Sequence, residues 1–99
     1  RRGLSAPAVA RLVSTNPARR YGLEGKGSLE VGSDADIALL DPSVTYTVRA
    51  EESPSAQGYT PFEGHELTGR VTDVWLRGGR ILDSGKVVGE PRGEYRPRP

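Results

Sequence analysis

The run Gly32-Ser33-Asp34-Ala35-Asp36-Ile37-Ala38-Leu39-Leu40-Asp41-Pro42 decides how the rest of the chain is read. Gly32-Ser33-Asp34 has the composition of a tight turn, since glycine takes positive φ and Asp bonds nearby backbone N–H groups. Four apolar residues follow without a polar partner between them, which predicts a strand buried on both faces. Pro42 is expected to end it, because proline cannot donate to a ladder. Val44, Tyr46 and Val48 then alternate with Thr45, Thr47 and Arg49, the period of a second, half-buried strand.

Downstream, residues 50–68 are polar and turn-rich. They are read as an ordered loop anchored by Tyr59 and Phe62, whose rings are costly to leave in water. A third strand is expected from Val71 to Leu76, with Val71 and Trp75 on one face and Val74 and Leu76 on the other. Gly78-Gly79 supplies a two-residue hairpin signal, Ile81-Leu82 pairs back, Ser84-Gly85 turns again, and Val87-Val88 makes a short fifth strand. Trp75 and Ile81 are expected to lie largely buried beside the first turn. On that footing, Trp75→Ala would cost about 3–5 kcal/mol.

Upstream the period changes. Ser5 suits a helix cap and Pro7 a first turn, and Val9, Leu12 and Val13 recur at three- and four-residue spacing. Asn16-Pro17 has the form of a second cap-then-proline start, and Gly22 can close that helix in a left-handed conformation. Two short helices followed by strands make a mixed α and β chain. It begins without Met and in mid-pattern, and is therefore expected to be a piece of something longer.

Bulk composition excludes several classes. The 99 residues hold one small domain at most, and 13 glycines and 8 prolines, about a fifth of the chain, suit short strands joined by turns. The net charge of +1 offers no footprint for nucleic acid or an anionic membrane. Arg1, Arg2, Arg92, Arg96 and Arg98 gather at the two ends and are read as solvated termini. There is no cysteine, so no disulfide framework, which suits a cytoplasmic protein. No apolar run approaches the roughly 20 residues that span a bilayer.

Candidate chemistry fails residue by residue. Asp34 and Asp36 share a strand face, but Asp41 lies past the apolar run, and a hard cation needs several converging oxygens. These carboxylates are read as bonding backbone N–H groups in flanking turns. His65 is the only histidine, and with no cysteine it cannot complete a zinc set. Ser14, Ser33 and Ser53 lack a nucleophile elbow, and Gly25-Lys26-Gly27-Ser28 lacks the upstream glycine and strand of a phosphate loop. No catalytic, cofactor-binding or metal-binding residue is assigned.

The order of motifs is more specific than any one of them. Leu12-Val13-Ser14-Thr15-Asn16-Pro17-Ala18-Arg19, Tyr21-Gly22-Leu23, Lys26-Gly27, Gly32-Ser33-Asp34-Ala35-Asp36, Asp41-Pro42, Tyr59-Thr60-Pro61-Phe62-Glu63-Gly64 and Leu76-Arg77-Gly78 occur in sequence. Together they resemble the C-terminal segment of the cyclic amidohydrolases: dihydropyrimidinase and hydantoinase, allantoinase, and dihydroorotase. The resemblance runs over residues 4–95. It implies a parent enzyme in which a (β/α)8 barrel holds one or two divalent metals, usually zinc, and a small β-sandwich is assembled from both chain ends. The barrel ligands have no counterpart in this sequence.

On the same resemblance, residues 1–23 would be the last helices of the barrel, 24–89 the C-terminal part of the sandwich, and 90–99 an irregular tail. Asn16-Pro17-Ala18 would start the helix leading off the barrel, and Arg77-Gly78 would turn the late hairpin. Only Glu24-Gly25 stands where hydantoinase-like chains carry a longer insert. Gly58 replaces an Asp common in dihydropyrimidinases, and Tyr59 an Asn common in dihydroorotases. The ending, Gly85 to Gly89 and Gly93 to Tyr95, leans toward hydantoinase and allantoinase. Another amidohydrolase branch (an N-acyl-amino-acid deacylase or a deaminase) and a stand-alone β assembly module are the alternatives.

The implied partners are the remainder of the chain, further copies in a homo-oligomer, and a small cyclic amide for the parent. An exposed sheet edge is expected to pair with another copy unless the tail from Val87 to Tyr95 folds back.

Overall fold

A computed structural model describes residues 3–97. Of the arginines read as solvated termini, Arg1, Arg2 and Arg98 lie outside that range, as does Pro99.

The chain opens with one helical run rather than two helices. Ser5 caps it as expected, its hydroxyl accepting from the Ala8 N–H at 3.3 Å. The run continues without a break through Ala6–Ala10 (α1), a π-helical turn over Arg11–Thr15, and Asn16–Arg20 (α2). Asn16 is therefore not a cap: Thr15 and Asn16 both keep right-handed helical dihedrals. The π turn explains how Pro17 is accommodated. Proline in a helix interior has no N–H to give and collides with the carbonyl four residues back. In the wider turn the Asn16 N–H reaches Arg11 O, five residues back. The C-terminal expectation holds. Gly22 takes φ +67, its N–H donates to Arg19 O at 3.2 Å, and the Leu23 N–H donates to Ala18 O at 2.9 Å. These are the two bonds of a Schellman closure.

The strands form one antiparallel sheet in the order β1 (Ile37–Thr47), β2 (Glu66–Leu76), β3 (Gly79–Asp83), β4 (Lys86–Val87). Four strands stand where five were expected, because Pro42 does not end the first. Asp41 pairs with Arg70 and Thr45 with Thr68, so the residues between them bulge outward and the ladder resumes on the same partner. A proline is tolerated at such a bulge because no ladder bond is asked of it. Gly69 opposite it has φ +102, a left-handed conformation that favours glycine, and a Cβ there would lie 4.0 Å from the Pro42 Cα. The second strand likewise starts at Glu66, shortening the expected loop. The long Thr-rich ends of β1 and β2 pair with each other, Thr45 meeting Thr68 at 3.2 Å.

The first hairpin turns at Arg77-Gly78, not Gly78-Gly79. Leu76 pairs with Gly79, and Arg77 (φ +47) and Gly78 (φ +82) supply the two positive dihedrals that a tight hairpin needs. Arg77 adopts a left-handed conformation that a side chain resists. Its N–H donates to Asp36 Oδ1 at 2.9 Å, and the Gly78 N–H donates to Ala35 O at 3.0 Å. Those two bonds hold the turn. The second hairpin turns at Ser84-Gly85 as expected.

Burial is thin. Among the described residues Ala18, 7% exposed, is the one buried apolar side chain. The Ile37-Ala38-Leu39-Leu40 strand is not covered on both faces: Leu40 is 60% exposed. The helical stripe of Val9, Leu12 and Val13 is also exposed. Trp75 and Ile81 are half-buried rather than buried, with the Arg80 guanidinium 4.9 Å over the Trp75 ring. The expected loss on Trp75→Ala is therefore revised downward to about 1–2 kcal/mol, since only part of the ring leaves water. Urea unfolding of the two chains side by side checks this; a loss above about 3 kcal/mol would mean a fully packed ring.

The tail from Gly89 to Pro97 has no regular structure, but it returns to the sheet. Arg77 donates through its guanidinium to Arg92 O and lies 3.6 Å from Glu94, and Arg96 reaches Asp34 at 3.0 Å. The outer edge of β1 has no partner among the described strands.

Candidate functional site

The groups with chemical potential converge where the glycine-rich loop meets the start of β1. Positive φ at Gly25 (+76) and Gly27 (+80) curls the loop so that Lys26 points inward. Its ammonium lies 2.9 Å from Asp34 Oδ2 and 2.5 Å from Asp36 Oδ2. The Lys26 side chain is only 17% exposed. Asp34 also accepts from Arg96, and the Asp34 N–H donates to Gly25 O at 2.9 Å. Asp36 accepts from Lys26 with one oxygen and from the Arg77 N–H with the other.

The electrostatics follow from that geometry. The hydrogen bond from Lys26, with the Arg77 N–H adding to it, holds the Asp36 carboxyl below its usual range. Hydrogen bonds to Asp36 and then Asp34 push the Lys26 ammonium up. The helix is fastened to the same loop, because the Thr15 hydroxyl donates to Gly27 O at 2.7 Å. One cluster thus ties together the helix, the loop, the head of β1, the first hairpin turn and the tail.

The expectation that all three aspartates bond local backbone groups holds for Asp41 alone. Its Oδ1 accepts from the Ser43 hydroxyl at 2.6 Å and the Ser43 N–H at 2.9 Å, which lowers its pKa. Asp34 and Asp36 bind side chains and an N–H far along the chain instead. Asp73, which no sequence signal singled out, is a second junction. It accepts from the Thr72 hydroxyl, from Arg80 at 2.7 Å and from the Ser84 N–H at 3.2 Å. Its pKa is lowered, chiefly by the Thr72 bond.

His65 packs edge-on to Phe62, ring centres 5.9 Å apart. The two aromatics expected to anchor their loop do not: Tyr59 is 69% and Phe62 56% exposed. The loop is instead held by polar bonds. Glu63 accepts from the Ala50 N–H at 2.7 Å and pairs with Arg49 at 3.4 Å, and the Gly64 N–H donates to Val48 O at 2.9 Å.

A divalent metal does not fit these groups. The carboxylates of Asp34 and Asp36 are turned onto cations, Asp41 is spent on its own turn, and His65 faces an aromatic ring. Among the described residues no three His, Cys, Asp or Glu side chains come together. Ser14 and Ser33 have no histidine beside them in the bonds described, and Gly25 to Ser28 form a turn around Lys26 rather than an open anion cradle. Among the described residues, no helix is long and apolar enough to cross a membrane.

Residues 1–88 match the amidohydrolase family. The chain is 42% identical over 94 residues to the allantoinase of Rubrobacter xylanophilus, covering 95% of the chain and 21% of that protein. It is 41% identical over 86 residues to the dihydroorotase of Pyrococcus abyssi, covering 87% and 21%. Among solved structures, the L-hydantoinase (dihydropyrimidinase) of Arthrobacter aurescens superposes with a TM-score of 0.84 at 34% identity, over 90% of this chain and 20% of that one. The chain spans about a fifth of the length of these relatives.

Proposed function

The chain belongs to the amidohydrolase family, and from that premise we propose that it is the C-terminal, non-catalytic part of a metal-dependent hydrolase of cyclic amides, of the hydantoinase, allantoinase or dihydroorotase type. The observation that carries this reading is the match over nearly the whole chain to an allantoinase, a dihydroorotase and an L-hydantoinase, each about five times as long. In this reading residues 1–23 end the barrel, residues 24–89 contribute strands to a β-sandwich, and the metal, zinc, is held by the upstream barrel. Within it, the hydantoinase and allantoinase branches are favoured by the ending from Gly85 to Tyr95. The cytoplasm is the compartment that suits a cysteine-free chain.

The role of these residues is then mechanical. The Lys26 cluster and the Schellman closure at Gly22 fix the angle between the helix and the sheet. The exposed stripe of Leu4, Val9, Leu12 and Val13, and the faces of Leu39 and Leu40, are surfaces for the remainder of the enzyme and for further copies. Burial of that apolar area would supply the stabilisation that the chain lacks alone.

The test has two arms. The purified 99-residue chain is expected to open none of hydantoin, dihydrouracil, allantoin or dihydroorotate, with or without added zinc. The polypeptide that carries it behind a barrel is expected to turn over at least one of them. Hydrolysis by the chain alone would overturn the non-catalytic role, and failure of the longer polypeptide on all four rings would overturn the substrate class.

A further inference from the structure

We propose that Gly79 is a socket for the guanidinium of Arg92, and that this docking joins the tail to the first hairpin and withholds the Arg92–Gly93 bond from proteases that cleave after arginine. A Cβ built on Gly79 would overlap Cζ and Nη1 of Arg92 and lie 3.0 Å from Nη2. The three nearest atoms that a methyl would meet all belong to that one guanidinium. Backbone geometry does not call for glycine here. Gly79 opens β3 opposite Leu76 and lies outside the left-handed region, whereas its neighbour Gly78 supplies the turn with φ +82. What the missing side chain leaves room for is the end of Arg92.

A guanidinium suits that position because it is flat and more weakly hydrated than an ammonium, so lying against backbone costs it little. The same hairpin holds Arg92 at a second point, since the Arg77 guanidinium donates to Arg92 O. Residues 77 and 79 thus grip the carbonyl and the side chain of one tail residue. The approach is prepared by Gly89, whose φ of +75 turns the chain out of β4, and by Pro91, whose ring fixes φ one residue before Arg92. Beyond the grip, Glu94 sits 3.6 Å from Arg77 and Arg96 reaches Asp34 at 3.0 Å, pairs that are weak in water when they stand alone. A protease of trypsin's specificity must draw the arginine side chain into its own pocket. Arg92 cannot occupy both places, so cleavage waits for the tail to undock. This docking stands apart from the reaction of the parent enzyme.

The test uses the longer polypeptide that carries these residues behind a barrel, kept native, and its Gly79→Ala variant. Alanine is compatible with the strand, and the atoms its methyl meets are the far end of a flexible side chain. The sheet is therefore retained while the guanidinium is displaced. Both proteins receive a brief pulse of trypsin, and initial rates at the Arg92–Gly93 and Lys86–Val87 bonds are read by mass spectrometry. The second bond lies in β4 and reports opening of the sheet. Cleavage tracks the population of the open form, so loss of the socket is expected to speed the Arg92–Gly93 bond about three- to tenfold. The Lys86–Val87 rate should not change. Equal Arg92–Gly93 rates in the two proteins would overturn the socket. An equal acceleration at both bonds would overturn it as well, because Gly79 would then be holding the sheet and not the tail. Ring hydrolysis is not read, so a failure of the substrate class leaves the result intact.

Discussion

Gly27→Ala is expected to destabilise the fold by about 3 kcal/mol, through strain and overpacking together. A Cβ at this position would lie 2.7 Å from the Ala18 Cβ, 3.1 Å from Ser14 O and 3.2 Å from the Thr15 Cα. These are backbone or near-backbone atoms of the helical run and cannot swing aside. The nearest of them belongs to Ala18, the one buried apolar side chain among the described residues. The backbone at Gly27 has φ +80, which L-residues resist. Any relief by moving the loop would lengthen the bond from the Thr15 hydroxyl to Gly27 O and pull Lys26 from its carboxylates. Gly32→Ala is the control: φ there is +99 but nothing lies within 4 Å, so only the conformational cost of about 1–2 kcal/mol remains. Urea midpoints of the three chains check this; equal losses at 27 and 32 would refute the close approach of loop and helix.

Lys26→Met is expected to cost about 2 kcal/mol near neutral pH, because a largely enclosed cation with two charge-assisted bonds is lost. Methionine keeps the stem's bulk but leaves Asp34 and Asp36 facing each other, with Arg96 as the remaining cation. The pH dependence has a defined sign at each end. Asp36 has a lowered pKa in the fold, so its contribution is present above the unfolded value of about 3.9 and is lost as pH falls through the folded one. Lys26 has a raised pKa, so its contribution is present below the unfolded value of about 10.4 and is lost as pH rises through the folded one. Asp73 adds to the acid limb independently of Lys26. The variant should therefore lose its alkaline limb and show a shallower acid limb, while Lys26→Arg should keep most of both. Urea unfolding followed from pH 3 to 11 gives the comparison. A Lys26→Met chain with the parent's pH profile would mean that the ammonium is not what the carboxylates hold.

What the sequence by itself determined is largely what short-range chemistry dictates. Ser5 caps, Gly22 closes and Ser84-Gly85 turns because each depends on bonds within a few residues. The motif order from Leu12 to Gly78 placed the chain in its family. It also put the first hairpin turn at Arg77-Gly78, where the glycine pair alone pointed one residue too far. The absence of a usual zinc set was legible because one histidine and no cysteine cannot make one.

Only the tertiary structure decided the rest, and in each case the deciding partner is distant in the chain. Asn16-Pro17 has the local form of a helix start, but the π turn lets the helix run through it. Pro42 has the local form of a strand end, but β2 offers Gly69 opposite a bulge and the ladder resumes. Asp34 and Asp36 have the local form of turn caps, and nothing in their neighbourhood names Lys26, Arg96 or the Arg77 N–H as partners. Local patterns fail there because a carboxylate binds whichever donor the fold brings within 3 Å. The apolar runs at Val9 to Val13 and Ile37 to Leu40 show the same limit from the other side. Periodicity identifies a face that gains by leaving water, while what covers that face depends on which surfaces the fold brings against it.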